Sequence, residues 1–332
     1  MRAVEMTASG GPEVLKLNTT APEPGIQTPT QIKVRLHAAG VNPIDTKIRS
    51  RGLFYDARPP AVLGCDGAGE VVAVGSAVER FAIGDRVWFC HGGLGREQGN
   101  YAEFSVLEQS EAERMPERLD YLHAAAGPLV LITAWEALFD QARLQSGETV
   151  LVHAGAGGVG HVAIQLAKAR GARVLTTAGS EEGIALAHEL GADSVIDYRA
   201  GDVTARVREL TGGQGVDVCL ESVGPQVFRD SIGMMAPYGR LVTLLDPGSD
   251  LDLSTARTRN LQIAFTLMLT PMLLGLQDAR WHQGEILREC AALIDAGQLR
   301  LHIAQTFPLE QAARAHEQIA TGHTHGKIVL EI

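Results

Sequence analysis

The residues best spaced for chemistry lie in the stretch VLVHAGAGGVGHVAIQ, Val150 to Gln165. Gly155, Gly157, Gly158 and Gly160, with Ala156 and Val159 between them, contain G-x-G-x-x-G between an apolar run that reads as a strand and a run that reads as a helix. Such a turn binds phosphate. The first glycine permits a tight turn, Gly157 and Gly158 let the backbone approach a pyrophosphate, and Gly160 lets the helix pack close to the strand. The helix N-terminus adds free N–H groups and positive dipole. A glycine turn needed only for close helix packing is the alternative reading.

The following strand bears on which dinucleotide the turn would hold. An NAD site usually carries an acid at the tip of that strand, gripping the ribose 2′-hydroxyl. Here the tip reads Thr177, Ala178, Gly179, Ser180, with no acid. A 2′-phosphate fits there without repulsion, and Ser180, Tyr198 and Arg199 are its candidate contacts. Glu181 and Glu182 lie just beyond and count against a phosphate, although acids also suit the first turn of a helix. The expectation is NADP(H) rather than NAD. The four cysteines, Cys65, Cys90, Cys219 and Cys290, form no CxxC pair and fit no disulfide framework, so a reducing, cytoplasmic compartment is expected.

These residues need elements to position them. The first 120 or so residues hold short runs rich in β-branched and aromatic side chains, such as QIKVRLHAAG, GEVVAVG, GDRVWFC and YAEFSVL, each closed by turn residues. They suggest a small β-barrel or sandwich. YLHAAAGPLVLITAWEALFDQA then has helical spacing, and from TVLVHA onward strands and helices alternate through VDVCLESV, VFRDSIGMMAPYG, RLVTLL and LQIAFTL. Alternation of this kind predicts a parallel sheet covered by helices on both faces. The tail predicts an amphipathic helix in QGEILRECAALIDAGQL and a last strand in HGKIVLEI, and is too small to stand apart from the β-rich part.

Taken together, AAGVNPIDTKIRSRG (Ala38 to Gly52), GCDGAGEVVAVG (Gly64 to Gly75), FAIGDRV, NYAEF, HAGAGGVG, TAGSEEG, DYR and GKIVL resemble the medium-chain dehydrogenase/reductase superfamily. The chain is similar to its zinc-independent, zeta-crystallin-like quinone oxidoreductases along essentially its whole length. The resemblance implies an α/β protein. A GroES-like, β-rich catalytic domain would span 1–123 and 269–332, and a Rossmann, doubly wound NADP-binding domain 124–268. It implies NADPH in the cleft between them and hydride transfer to a quinone or other α,β-unsaturated carbonyl compound. A homodimer or homotetramer is expected on the same ground.

The resemblance also assigns residues. Zinc alcohol dehydrogenases of the superfamily carry a metal-binding Cys where this chain has Asn42 and a His where it has Cys65, and the remaining ligand has no counterpart around Gly127 to Leu129. A catalytic zinc needs three protein ligands, so no metal is expected. Asn42 is the candidate to orient substrate or cofactor; its alternative role is to cap the helix that begins at Pro43. Tyr55 falls near a family tyrosine beside the nicotinamide, though a slip of one residue would put Phe54 there. Lys47 stands where relatives often carry a tyrosine, and is either a proton donor, an anchor for an anionic substrate, or a solvated charge. Thr133 matches a family threonine near the ring. Leu244, Leu245, Thr266, Leu267 and Met268 match strand ends that touch the nicotinamide half, and Gly224 and Lys327 complete the cofactor set.

Composition narrows the alternatives. Of 332 residues, 45% are hydrophobic and 20% charged, as in ordinary globular chains, and the net charge of −10 argues against nucleic-acid binding. LQIAFTLMLTPMLLGLQ is interrupted by Pro271 and short for a membrane span, so it is expected to line the substrate cleft or a contact between copies. The opening MRAVEMTASG reads as a strand, not as a targeting segment. An aldehyde- or alcohol-linked reductase, and a nucleotide-binding protein with vestigial activity, remain as competing readings.

Overall fold

The computed structural model describes residues 1–322 and 324–332. The chain forms two compact units, one of residues 1–129 with 269–332 and one of residues 130–268. The strands of the first unit are β1 (Ala3–Met6), β2 (Leu15–Asn18), β3 (Gln31–Val41), β4 (Ala61–Val62), β5 (Asp66–Val74), β6 (Arg86–Cys90), β7 (Phe104–Glu108) and β8 (Ala112–Arg114). The second unit contributes β9 (Thr149–Val152), β10 (Arg173–Ala178), β11 (Ser194–Asp197), β12 (Val216–Glu221), β13 (Met235–Thr243) and β14 (Gln262–Phe265). The chain then adds β15 (Ile303–Pro308) and β16 (Lys327–Glu331) to the first unit.

In the first unit the main sheet runs β15-β16-β3-β5-β6-β8, with β7 also on β3. Strand β3 shows why it forms. Ile32, Val34 and Leu36 alternate with Lys33 and Arg35, so one face packs with Val71, Val87, Phe89 and Leu107 and the other stays wetter. Toward its end β3 is buried throughout, from Ala38 to Val41. Its last residues pair with the starts of two others: Gly40 with Asp66 of β5, and Val41 with Ile328 of β16. This register carries Asn42, Asp66 and Lys327 to one end of the sheet.

The second unit is a parallel sheet in the order β11-β10-β9-β12-β13-β14. Its strands read as near-continuous apolar runs because helices cover both faces. Leu151, Leu175, Cys219 and Leu241 pack with Phe228 and Ile232 of the helix Pro225–Met234. The order reverses between β9 and β12, and that switch point is where a doubly wound sheet opens a crevice at its carboxyl ends.

Several elements differ from the sequence reading. Pro128 splits the long helical segment into Tyr121–Ala125 and Pro128–Trp135, followed by π-helical turns over Glu136–Gln141. The helix expected to run through MMAPYG stops at Met234, and β13 begins at once, with Tyr238 in a left-handed conformation (φ 63°). The tail holds more than one helix and one strand. Its long helix spans Gln277–Asp295, and β15 and a short helix, Ala312–Ala320, precede β16. Strand β15 is largely exposed, so it lacks the alternation that marks a half-buried strand. The apolar window after β14 becomes a short helix, Thr270–Leu274, with Pro271 in its first turn.

Candidate cofactor and active site

The glycine turn joins β9 to the helix Gly160–Ala169 at the switch point. Two glycines are there for close approach. A Cβ on Gly155 would lie 2.0 Å from the Thr176 hydroxyl oxygen, and one on Gly160 would lie 2.1 Å from the Ala154 carbonyl oxygen. The left-handed residue of the turn is Ala154 (φ 53°), whose N–H donates to Thr177 Oγ1 at 3.0 Å. Thr177 Oγ1 also lies 3.4 Å from Nδ1 of buried His153, whose Nε2 is 2.9 Å from Ser231 Oγ. Burial pulls the His153 imidazole down to about 4, so it is a neutral hydrogen-bonding spacer. The residue before the helix is Val159, which has no side-chain oxygen to cap it, and the His161 N–H of the first turn donates to the Gly157 carbonyl at 3.1 Å.

At the tip of β10, Ser180 caps the next helix, accepting the Gly183 N–H at 3.1 Å. Tyr198 lies across Gly179: a Cβ there would sit 2.2 Å from the phenol oxygen. Arg199 Nε stands 3.7 Å from Asp197 Oδ1 and remains largely exposed. Gly179, Ser180, Tyr198 and Arg199 therefore form one surface at the ends of β10 and β11. On the other side of the switch point, Gly224 follows β12, and Leu244 and Leu245 follow β13. Thr266 follows β14 with its hydroxyl buried and without a hydrogen-bond partner among the described residues. Leu267 is exposed, while Met268 and Thr133 are buried.

In the first unit, Asn42 is fully buried at the end of β3. Its Nδ2 donates to Asp66 Oδ2 at 2.8 Å, and its Oδ1 accepts a hydrogen bond from the Lys327 ammonium. Lys327 also reaches the Val41 carbonyl at 3.3 Å and stands 3.5 Å from Asp66 Oδ2, so this member of the expected cofactor set is engaged inside the sheet end. Asp66 Oδ1 accepts the Leu129 N–H at 2.8 Å. Burial raises the Asp66 carboxyl, and Lys327 and Asn42 oppose it.

Asp45, in the first turn of the helix Pro43–Arg51, accepts the Asn42 N–H at 2.8 Å and the Tyr101 hydroxyl at 3.0 Å. Burial pushes its carboxyl up to about 7. Tyr101 lies 3.1 Å from His316 Nε2, and Cys65 donates to Asp45 Oδ1 at 3.9 Å. The neighbouring Cys90 thiol and burial hold Cys65 as a thiol. The sequence reading gave no role to Asp45, Tyr101 or His316. Only Asp45 left a signal, an acid three residues after Asn42 at capping-box spacing.

The other two candidates stand apart from this cluster. Lys47 is exposed on the outer face of its helix. Tyr55, left-handed at φ 63°, donates its hydroxyl to the Met272 carbonyl at 3.0 Å, with the Arg96 guanidinium 3.9 Å above its ring. Phe54 beside it is partly exposed.

Known proteins share this architecture. Residues 28–117 match the family described as alcohol dehydrogenase GroES-like domain, and residues 190–330 the family described as zinc-binding dehydrogenase. A quinone oxidoreductase of Pseudomonas aeruginosa is 39% identical over 99% of both chains. Among solved structures, an alcohol dehydrogenase superfamily protein from Novosphingobium aromaticivorans superposes with a TM-score of 0.91 at 35% identity, covering 100% of this chain and 99% of that one. The Escherichia coli quinone oxidoreductase complexed with NADPH superposes with a TM-score of 0.87 at 32% identity, covering 100% of both.

Proposed function

This chain belongs to the medium-chain dehydrogenase/reductase superfamily, and on that premise we propose that it is an NADPH-dependent, zinc-independent oxidoreductase that reduces a quinone or another α,β-unsaturated carbonyl compound. The observation that carries the reading is the glycine turn at the β9–β12 switch point. Its Gly155 and Gly160 have no room for a side chain, and the helix behind it offers N–H groups to a pyrophosphate. Gly179, Ser180, Tyr198 and Arg199, with no acid at the β10 tip, support NADP(H) over NAD(H). Gly224, Leu244, Leu245, Thr266, Leu267 and Met268 would hold the other half of the cofactor. Bound NADPH supplies the hydride.

The residues at the position of a superfamily zinc do not fit that metal. Asn42 and Cys65 replace two ligands, the Lys327 ammonium already hydrogen-bonds Asn42 beside Asp66, and among the described residues no three His, Cys, Asp or Glu side chains converge on a metal site. A hydrogen-bond donor takes the metal's place in this reading. Asn42 gives one Nδ2 proton to Asp66 and keeps the other. The cation on its Oδ1 polarises the amide, which in this reading is the group that orients substrate or cofactor. In this reading Lys47 is a solvated charge, and Tyr55 is fixed by its hydroxyl bond to the Met272 carbonyl. All four cysteines are buried thiols, which supports a reducing, cytoplasmic setting. No helix of the described residues is long and apolar enough to cross a membrane.

The test combines NADPH or NADH with 1,4-benzoquinone, a small enone and a primary alcohol, alongside metal analysis. The expected result is NADPH-preferring reduction of the first two without bound zinc. Binding of NADPH with no oxidation across the acceptors, or one zinc per chain, would overturn it.

A further inference from the structure

Glu221, the last residue of β12, is fully buried. Its Oε1 accepts the backbone N–H groups of Val223 at 2.5 Å and Gly224 at 2.6 Å, and its Oε2 accepts the Thr243 hydroxyl at 2.7 Å. Thr243 Oγ1 in turn accepts the Leu245 N–H at 3.2 Å. Both backbone partners donate to it, and the Thr243 hydroxyl, which also lies 3.1 Å from the Leu245 carbonyl oxygen, is a neutral group. Among the described residues no cation pairs with it. Its two backbone donors open the helix Pro225–Met234, whose partial positive end offsets only part of a full negative charge, and glutamate is seldom fully buried unless paired. The arrangement leaves a negative potential at the carboxyl ends of β12 and β13.

The sheet order says what belongs there. A doubly wound sheet binds a dinucleotide across its switch point, one mononucleotide on each half. The glycine turn and the β10 tip belong to β9–β11, so the adenosine half falls there and the nicotinamide half falls to β12–β14. The two redox forms of that half differ in charge. The oxidised ring is a cation and the reduced ring is neutral.

We infer that the buried Glu221 carboxylate supplies the missing counter-charge to oxidised nicotinamide, so that this protein holds NADP+ in preference to what its contacts alone would give, and eases the departure of hydride from NADPH. The inference rests on the reading that the chain binds NADP(H). Thr243 positions the carboxylate and, by donating to it, tempers its charge.

Calorimetric titration of the whole chain with NADP+ and with NADPH tests this without any acceptor present. Glu221→Gln should weaken NADP+ about tenfold and NADPH less than about threefold. Thr243→Val keeps the anion but strips one donor from it, so the ratio of affinities should move the opposite way, toward NADP+. This second variant decides the matter if Glu221→Gln does not fold. A purely structural Glu221 predicts that both redox forms weaken together in both variants, and that result overturns the inference while leaving the cofactor assignment intact. Failure of the unaltered protein to bind either form overturns both.

Discussion

Burial holds the Asp45 carboxyl up to about 7, against an ordinary 3.8. The folded chain thus keeps a proton that the unfolded chain releases between about pH 4 and pH 7. This contribution to stability is complete below the unfolded value and lost as pH rises through the folded one. Asp45→Asn keeps an acceptor for the Asn42 N–H and the Tyr101 hydroxyl and removes the titration. Relative to the parent, the variant should gain about 1.4 kcal/mol per pH unit across that window. Urea unfolding at pH 5 and pH 6.5 checks the slope, and a pH-independent difference would sink the assignment. Lys327 is the opposite case, a buried cation facing a buried anion. Lys327→Met leaves Asp66 without its counter-charge and should cost about 3–5 kcal/mol, much of it recovered when Asp66→Asn is added. A double-mutant cycle of unfolding free energies reads this, and additive losses would show that the pair is not coupled. Asn42 was legible in the sequence because NPID resembles a family motif. Its partner Lys327 lies 285 residues away and meets it only through the pairing of β16 with β3, a register that no local pattern specifies.

At the scale of elements, the turn between β9 and the helix Gly160–Ala169 could be read directly, because its requirements are local: glycines in sequence, a strand before and a helix after. The second half of the cofactor crevice could not. In VDVCLESV a glutamate reads as a solvent-facing residue at a strand end, whereas Glu221 is buried beneath the turns it fastens. Strand β15 leaves no mark in the sequence for a related reason, since an exposed edge carries no alternation. The close packing of the glycine turn leads to a test at this scale. A methyl on Gly160 would meet the Ala154 carbonyl at 2.1 Å, and that atom is backbone, so the turn itself must move. Gly160→Ala should cost about 1–3 kcal/mol of stability. Moving the N–H groups off the pyrophosphate should weaken NADPH by about tenfold or more. Unfolding curves and titration of NADPH fluorescence measure the two effects. Loss of stability with undiminished affinity would mean that these glycines serve helix packing alone, the reading that stood beside phosphate binding from the sequence.

For the whole molecule, one boundary of the second unit is left open. β14 is the last strand of the parallel sheet, with β13 on one side and, among the described residues, no strand on the other. Its sequence, QIAF, has neither the proline nor the lysine that commonly blunts an edge, and Phe265 is 61% exposed at its end with Leu267 53% exposed just beyond. An edge of this kind invites a second strand, and the self-complementary partner of an antiparallel edge is the same strand of another copy, related by a two-fold axis. The oligomer expected from the superfamily resemblance would then be built, in its first step, on β14 pairing with β14. Two buried aromatic rings and paired backbone groups would hold it. Light scattering after size exclusion should give at least twice the chain mass for the parent at micromolar concentration. Phe265→Asp places two like charges across the axis and should lower the mass by one association step, leaving the far-ultraviolet circular dichroism and the melting of the isolated fold intact. A parent that runs as a single chain, or a variant of undiminished mass, would rule out this edge as the contact between copies.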